Sequence, residues 1–266
     1  MFQPTTAKID SSELAVSYPS VGICLIALAR PERRNALSTK LLIAVAAALT
    51  AAGIDKNIRV VIVTGGPDCF AAGADINELD QADADEPIDS PRFMAWGTIR
   101  SFSKPLIAAV EGWCLGAGLE LAMTADYIIA GEGACFGQPE INVGIIPGGG
   151  GTALLSRLVG RSVATRMILT GEPISAQAAL ANGLVGEVTP STAAIEAAMA
   201  LAESLAKRAP LALYAAKASL RDADVLPIDE HFVAERRRFI ELLSTADKKE
   251  GMAAFQEKRP ARWCGR

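Results

Sequence analysis

Near-continuous apolar runs and longer stretches of helical periodicity alternate along the first half of the chain. Residues 22–29 (GICLIALA), 60–65 (VVIVTG), 105–110 (PLIAAV) and 126–130 (DYIIA) are such runs, each flanked by Gly, Pro or Asp. Runs of this kind predict strands buried on both faces, as in a parallel sheet. Between the first two, residues 38–54 place apolar and Ala positions at helical spacing behind Ser38, whose hydroxyl can cap the first turn. The strand, helix, strand order is βαβ-like. Further helices are expected at 91–102 and 118–123, before and after the 105–110 strand.

Beyond about residue 150 strand signals become rare. Helical periodicity runs through 152–159, 162–169, 176–181, 193–208 and 211–221, then 228–243 and 248–257. The expected fold class is α/β, with a core over residues 1–199 and a helical region over 200–266. The acidic segment 79–91 (LDQADADEPIDSP) breaks the pattern and reads as a solvated loop, or else as a lid.

Composition narrows the function classes. A chain of 266 residues, 50% hydrophobic and 21% charged, can bury a core without disulfide or metal staples. Its formal charge of −4 supplies no positive field for phosphate backbones, so nucleic acid is not an expected partner. The five cysteines form no CxxC pair and read as reduced thiols of a cytoplasmic protein. No signal or transit segment is expected at the N-terminus. The longest apolar helical stretch, 41–54, falls short of the ~20 residues that span a bilayer, and reads as a buried helix.

The single histidine, His231, cannot build a multi-imidazole zinc site, and no GxSxG elbow is present. It lies in an amphipathic stretch, HFVAERRRF, where packing or surface placement accounts for it. No metal is expected, and acid–base chemistry falls to carboxylates.

Three Gly-rich turns follow or precede strand-like runs: FAAGADI (70–76), EGWCLGAGLELA (111–122) and FGQPEINVGIIPGGGGT (136–152). Turns of this kind let backbone N–H groups face a ligand without side chains intervening. A dinucleotide fingerprint would need Gly where Leu121 stands, and PGGGGT lacks the Gly-Lys-Ser/Thr ending of a phosphate loop. Glu120, on the first turn of its helix, has a sufficient structural explanation in the helix dipole, worth ~0.3–1 kcal/mol. Glu140 taken alone reads as a loop or capping carboxylate.

Together and in this order, the three turns resemble the crotonase, or enoyl-CoA hydratase/isomerase, family. The resemblance extends over nearly the whole chain through RPERRNALS (30–38), TGEPISAQAALANGLVGEV (170–188) and EGMAAFQEKRPARW (250–263). Within the family the look is that of bacterial hydratases of fatty acid or aromatic degradation, including the dehydroadipyl-CoA type.

The resemblance implies a spiral of ββα units with a helical C-terminal trimerisation region, assembled as a homotrimer or a dimer of trimers. It implies an oxyanion hole made by the backbone N–H groups of Ala74 and Ala117, the latter often Gly in relatives. Glu120 and Glu140 match the two glutamates of family hydratases. Coenzyme A, part of the substrate rather than a separate cofactor, is expected near Ala36, Ala72, Asp75, Ile76 and Gly116. Arg33 and Lys258 are candidates for its phosphates, Lys258 from a neighbouring subunit. Asn77 stands where some hydratases carry Lys. The acyl pocket wall is expected from 79–96 and the C-terminal helices. The implied activity is hydration of a trans-2-enoyl-CoA; alternatives are an enoyl-CoA isomerase or a noncatalytic relative that binds coenzyme A or RNA.

Overall fold

All four apolar runs become strands of one sheet. The computed structural model describes residues 12–82, 85 and 87–266. In chain order it shows β1 (Leu14–Ser20), β2 (Ile23–Leu28), α1 (Thr39–Ile54), β3 (Val60–Thr64), β4 (Cys69–Ala71), α2 (Ile76–Gln81), α3 (Pro91–Arg100), β5 (Leu106–Val110), β6 (Trp113–Leu115) and α4 (Ala117–Ala122). There follow β7 (Tyr127–Gly131), β8 (Cys135–Gly137), α5 (Gly151–Thr170), β9 (Ile174–Ser175), α6 (Ala176–Ala181), β10 (Glu187–Thr189), α7 (Ala194–Ala206), α8 (Pro210–Ala223), α9 (Ile228–Leu243) and α10 (Ala246–Gln256).

The larger sheet has the order β1-β2-β3-β5-β7-β10 and the smaller one β4-β6-β8-β9. Strand β1 pairs antiparallel with β2, whereas β2, β3, β5, β7 and β10 run parallel. Strands β3 and β5 are buried at every position, which explains their unbroken apolar sequence. One face presents Ile23, Val60, Ile62, Ile107, Ala109 and Ile129 to Ala194, Ala198 and Ala202 of α7. Those alanines recur every four residues and let the helix approach the sheet closely. Residue 200 therefore falls inside a helix that covers this sheet. The opposite face joins α1, α3 and the smaller sheet in the main core around Leu41, Leu49, Phe70, Trp96 and Phe136.

The hydroxyl of Ser38 accepts from the Leu41 N–H at 3.1 Å, so the expected cap of α1 is present. The helices expected at 152–159 and 162–169 form one element, α5, bent where Gly160 takes φ 75° and ψ 161°. Strand β1 and the short strands β4, β6, β8, β9 and β10 were not predicted. Ser17 and Pro19 interrupt the apolar alternation of β1, and the others have two or three residues each, too few to carry a period. Among the described residues no helix is long and apolar enough to cross a membrane.

What positions the site is a repeated step. A strand of the large sheet is followed by a short strand of the small sheet and then by a helix: β3-β4-α2, β5-β6-α4 and β7-β8-α5. These are the ββα turns of the expected spiral. Because β4, β6 and β8 are parallel neighbours, the three segments leaving their C-terminal ends emerge side by side.

Candidate active site

Those three exits are the three Gly-rich turns. They meet at a cavity of about 610 Å³ lined, among others, by Ala72, Gly73, Ala74, Gly116, Ala117, Glu120, Glu140 and Gly149. Gly73 has φ +125° and Gly116 φ +50°, conformations that L side chains rarely adopt. Each lies one residue before a candidate oxyanion amide. Leu37 bridges to Ala74 through bonds from the Leu37 N–H to Gly73 O and from the Asp75 N–H to Leu37 O. That pattern turns the Ala74 N–H away from Leu37. Ala117 is the first residue of α4, where the N–H has no acceptor within the helix.

Glu120 is 2% exposed, and its Oε1 accepts from the N–H groups of Gly149 and Gly151 at 2.7 Å each. Gly151 opens α5, so the carboxylate sits at a helix N-terminus. Burial raises the Glu120 pKa, while the two N–H bonds and the charges of Arg92 and Arg100 oppose the rise. Gly149 is required by space: a Cβ there would lie 2.7 Å from Trp96 Cε2 and 2.8 Å from Glu120 Oε2.

Glu140 lies in the 3-10 turn Pro139–Val143 that follows β8. Its pKa is pushed up to about 7, chiefly by burial and further by the charge of Glu120, with its own backbone N–H opposing. With its amide nitrogen turned toward Glu140, the fully buried Gln138 donates to Oε1 and Oε2 at 3.0 Å each. The cavity thus brings together two carboxyls of different character, one braced by N–H groups and one inclined to hold a proton.

Ile76 also lines the cavity, so seven of the expected residues are brought together there: Ala72, Ala74, Ile76, Gly116, Ala117, Glu120 and Glu140. Asp75 does not line it; its side chain pairs with Arg30 at 2.6 Å and caps α2 through the Asn77 N–H. Ala36 supplies a carbonyl to Arg30, Arg33 is exposed, and Lys258 lies beyond α10 with φ 54°; none of the three lines the cavity. From the segment 79–96, Leu79, Pro87, Ile88, Phe93 and Trp96 line the cavity. Ile145 and Ile146 line it as well, and no lining residue of this chain comes from α8, α9 or α10. His231 is buried on α9 beside Glu235 and outside the cavity.

Sequence reasoning did not single out Gln138, Trp96, or the role of Gly149 and Gly151 as donors. Local signals existed for the glycines, in the PGGGGT run, but their partner lies about thirty residues upstream.

The chain matches the enoyl-CoA hydratase/isomerase family across residues 19–266. It is 45% identical over 255 residues to 2,3-dehydroadipyl-CoA hydratase of Escherichia coli (strain K12), covering 96% of this chain and all of that one. A mitochondrial enoyl-CoA hydratase of Pongo abelii is 42% identical over 89% of this chain and 82% of its own. Among solved structures, an enoyl-CoA hydratase of Geobacillus kaustophilus HTA426 superposes with a TM-score of 0.92 at 38% identity, over 96% of this chain and 98% of that one. One from Bacillus anthracis gives 0.91 at 35% identity, over 96% and 100%. With the ββα spiral and this match over nearly the whole chain, the chain belongs to the crotonase, or enoyl-CoA hydratase/isomerase, family.

Proposed function

We propose that the protein is an enoyl-CoA hydratase that adds water across the C2=C3 bond of a trans-2-enoyl-CoA, giving the 3-hydroxyacyl-CoA. The observation that carries this reading is the pairing of Glu120, braced by two N–H groups, with Glu140, whose pKa is raised to about 7. Hydration needs one carboxylate to take a proton from water and one carboxylic acid to give a proton to carbon.

The thioester carbonyl accepts from the Ala74 and Ala117 N–H groups, which strengthen their hold as the oxygen gains enolate charge. Ionised Glu120 removes a proton from water while the water oxygen bonds to C3. The π electrons move toward C2 and the carbonyl, and Glu140 delivers its proton to C2 on the same face. Return of the proton from Glu120 to Glu140 through solvent closes the cycle. Arg33 and Lys258 serve the coenzyme A phosphates in this reading, Lys258 from a neighbouring subunit.

Assembly as a trimer or a dimer of trimers is supported by the apolar residues left exposed on α8, α9 and α10, among them Leu220, Phe232, Phe239 and Phe255, the last 84% exposed. Helices α8 to α10 are on this reading the assembly region, and the working compartment is the cytoplasm.

The test is loss of the conjugated enoyl absorbance of crotonyl-CoA. Rapid loss with the parent, slowed ~10²–10⁴-fold in both Glu120→Gln and Glu140→Gln, is expected. Faster conversion of a 3-enoyl thioester than hydration of the 2-enoyl one would identify an isomerase instead.

A further inference from the structure

Gly148, Gly149, Gly150 and Gly151 have no side chains with which to hold their own loop, yet this loop carries both donors to Glu120. The N–H groups of Gly149 and Gly151 face Glu120, and Gly150 takes φ +115° and ψ 6° between them. The Gly149 carbonyl is free to be held from elsewhere, and Arg100 holds it, with Nη1 at 2.7 Å.

Arg100 and Trp96 lie four residues apart on α3, and both press on this loop; the Trp96 ring occupies the space that a Gly149 side chain would take. Arg100 also stands in the last turn of α3, where any cation is favoured by the helix dipole. A dipole role alone would not require a bond to Gly149.

We propose that Arg100 is a positioning residue for hydration: by fixing the Gly149 carbonyl it keeps the Gly149 and Gly151 N–H groups on Glu120 Oε1, and so holds that carboxylate in place to receive the proton of water. It does not line the cavity. Its charge adds to the two N–H bonds against the effect of burial on Glu120. The inference rests on the reading of Glu120 as the base.

The test compares Arg100→Leu, Arg100→Lys and Glu120→Gln with the parent, using crotonyl-CoA across a range of pH and thermal unfolding as a control on the fold. In Arg100→Leu, kcat near pH 7 is expected to fall about tenfold or more with KM little changed. The ascending limb of its pH profile should move up by about one unit, because Glu120 loses support for its charged form. Arg100→Lys, which keeps the charge and one donor, should recover most of the rate. An Arg100→Leu enzyme with parental kcat and an unmoved limb, beside a Glu120→Gln enzyme that has lost activity, overturns the proposal alone. A loss equal at every pH and accompanied by a lowered Tm overturns it in favour of plain structural support. Full activity in Glu120→Gln removes the base reading and this inference with it.

Discussion

A Cβ added at Gly116 would lie 2.8 Å from Oε1 of Glu140, so the bare α-carbon of this glycine gives that carboxyl its place. The same residue has φ +50° and ψ −126° just before the Ala117 amide. Gly116→Ala therefore strains the backbone by about 1–3 kcal/mol and pushes the acid out of line at once. A displacement of the order of 1 Å at a reacting group costs about 100-fold in rate. We expect a Tm lowered by several degrees and kcat reduced at least about 100-fold, measured with crotonyl-CoA at saturation. Parental kcat would show that the Glu140 position tolerates a methyl group at residue 116.

Gly149 and Gly148 provide an internal comparison one residue apart. A Cβ at Gly149 meets Trp96 and Glu120 at under 3 Å, whereas one at Gly148 meets nothing within 4 Å, and neither residue has a positive φ. The contrast is steric alone. Gly149→Ala should lower Tm and reduce kcat by about 100-fold, because Glu120 is the atom group with least room to yield. Gly148→Ala should leave Tm within about a degree of the parent. Equal behaviour of the two variants in unfolding and turnover would contradict the packing described for Glu120.

The pH dependence of kcat/KM follows from the two carboxyls. Glu140 must be protonated to deliver a proton to C2, and its pKa is about 7, raised by burial and by the charge of Glu120. Above that value the fraction in the acid form falls tenfold per pH unit, so kcat/KM should decline on the alkaline side from near neutrality. Glu120 must be ionised, and burial raises its pKa against the pull of the Gly151 and Gly149 N–H groups, so an ascending limb should lie on the acid side above the ordinary glutamate range. The expected profile is a bell. A profile flat from pH 6 to 9 would exclude Glu140 as the acid.

Glu120 and Glu140 show how far sequence reading reached. Each alone had an adequate structural explanation, a first-turn carboxylate and a loop carboxylate; only the joint resemblance of three Gly-rich turns set them in one site. The physical cause of their meeting is the parallel register of β4, β6 and β8, strands of three residues whose pairing depends on partners distant in sequence. The long apolar strands were legible as unbroken hydrophobic runs and most helices by their period, but α2 (Ile76–Gln81), too short to carry one, was not, and its end falls in the segment read as a loop. Arg100 and Gly149 are forty-nine residues apart, and nothing local in either segment announces their bond. Asp75 was placed by motif position near coenzyme A, but its carboxylate is spent on Arg30 and the start of α2.

That pair makes the last prediction. Arg30 and Asp75 are both largely buried, and the guanidinium also donates to Ala36 O and lies 3.3 Å from Glu13. The pair ties the turn after β2 to the start of α2, beside the segment that presents the Ala74 amide. Arg30 holds Asp75 below the ordinary carboxylate range, more than burial raises it, with the Asn77 N–H assisting. The folded value is thus lower than the unfolded one, so the contribution is fully present above the unfolded pKa and fades as pH falls through the folded one. Asp75→Asn, which leaves Arg30 short of its partner, should cost about 1–3 kcal/mol at pH 7. The difference in unfolding free energy between parent and variant should shrink as pH drops below about 4. Denaturant unfolding at pH 7 and at the lowest pH that both proteins survive would decide it. A difference that stays constant between them would mean that Asp75 contributes through packing or hydrogen bonding that does not depend on its charge.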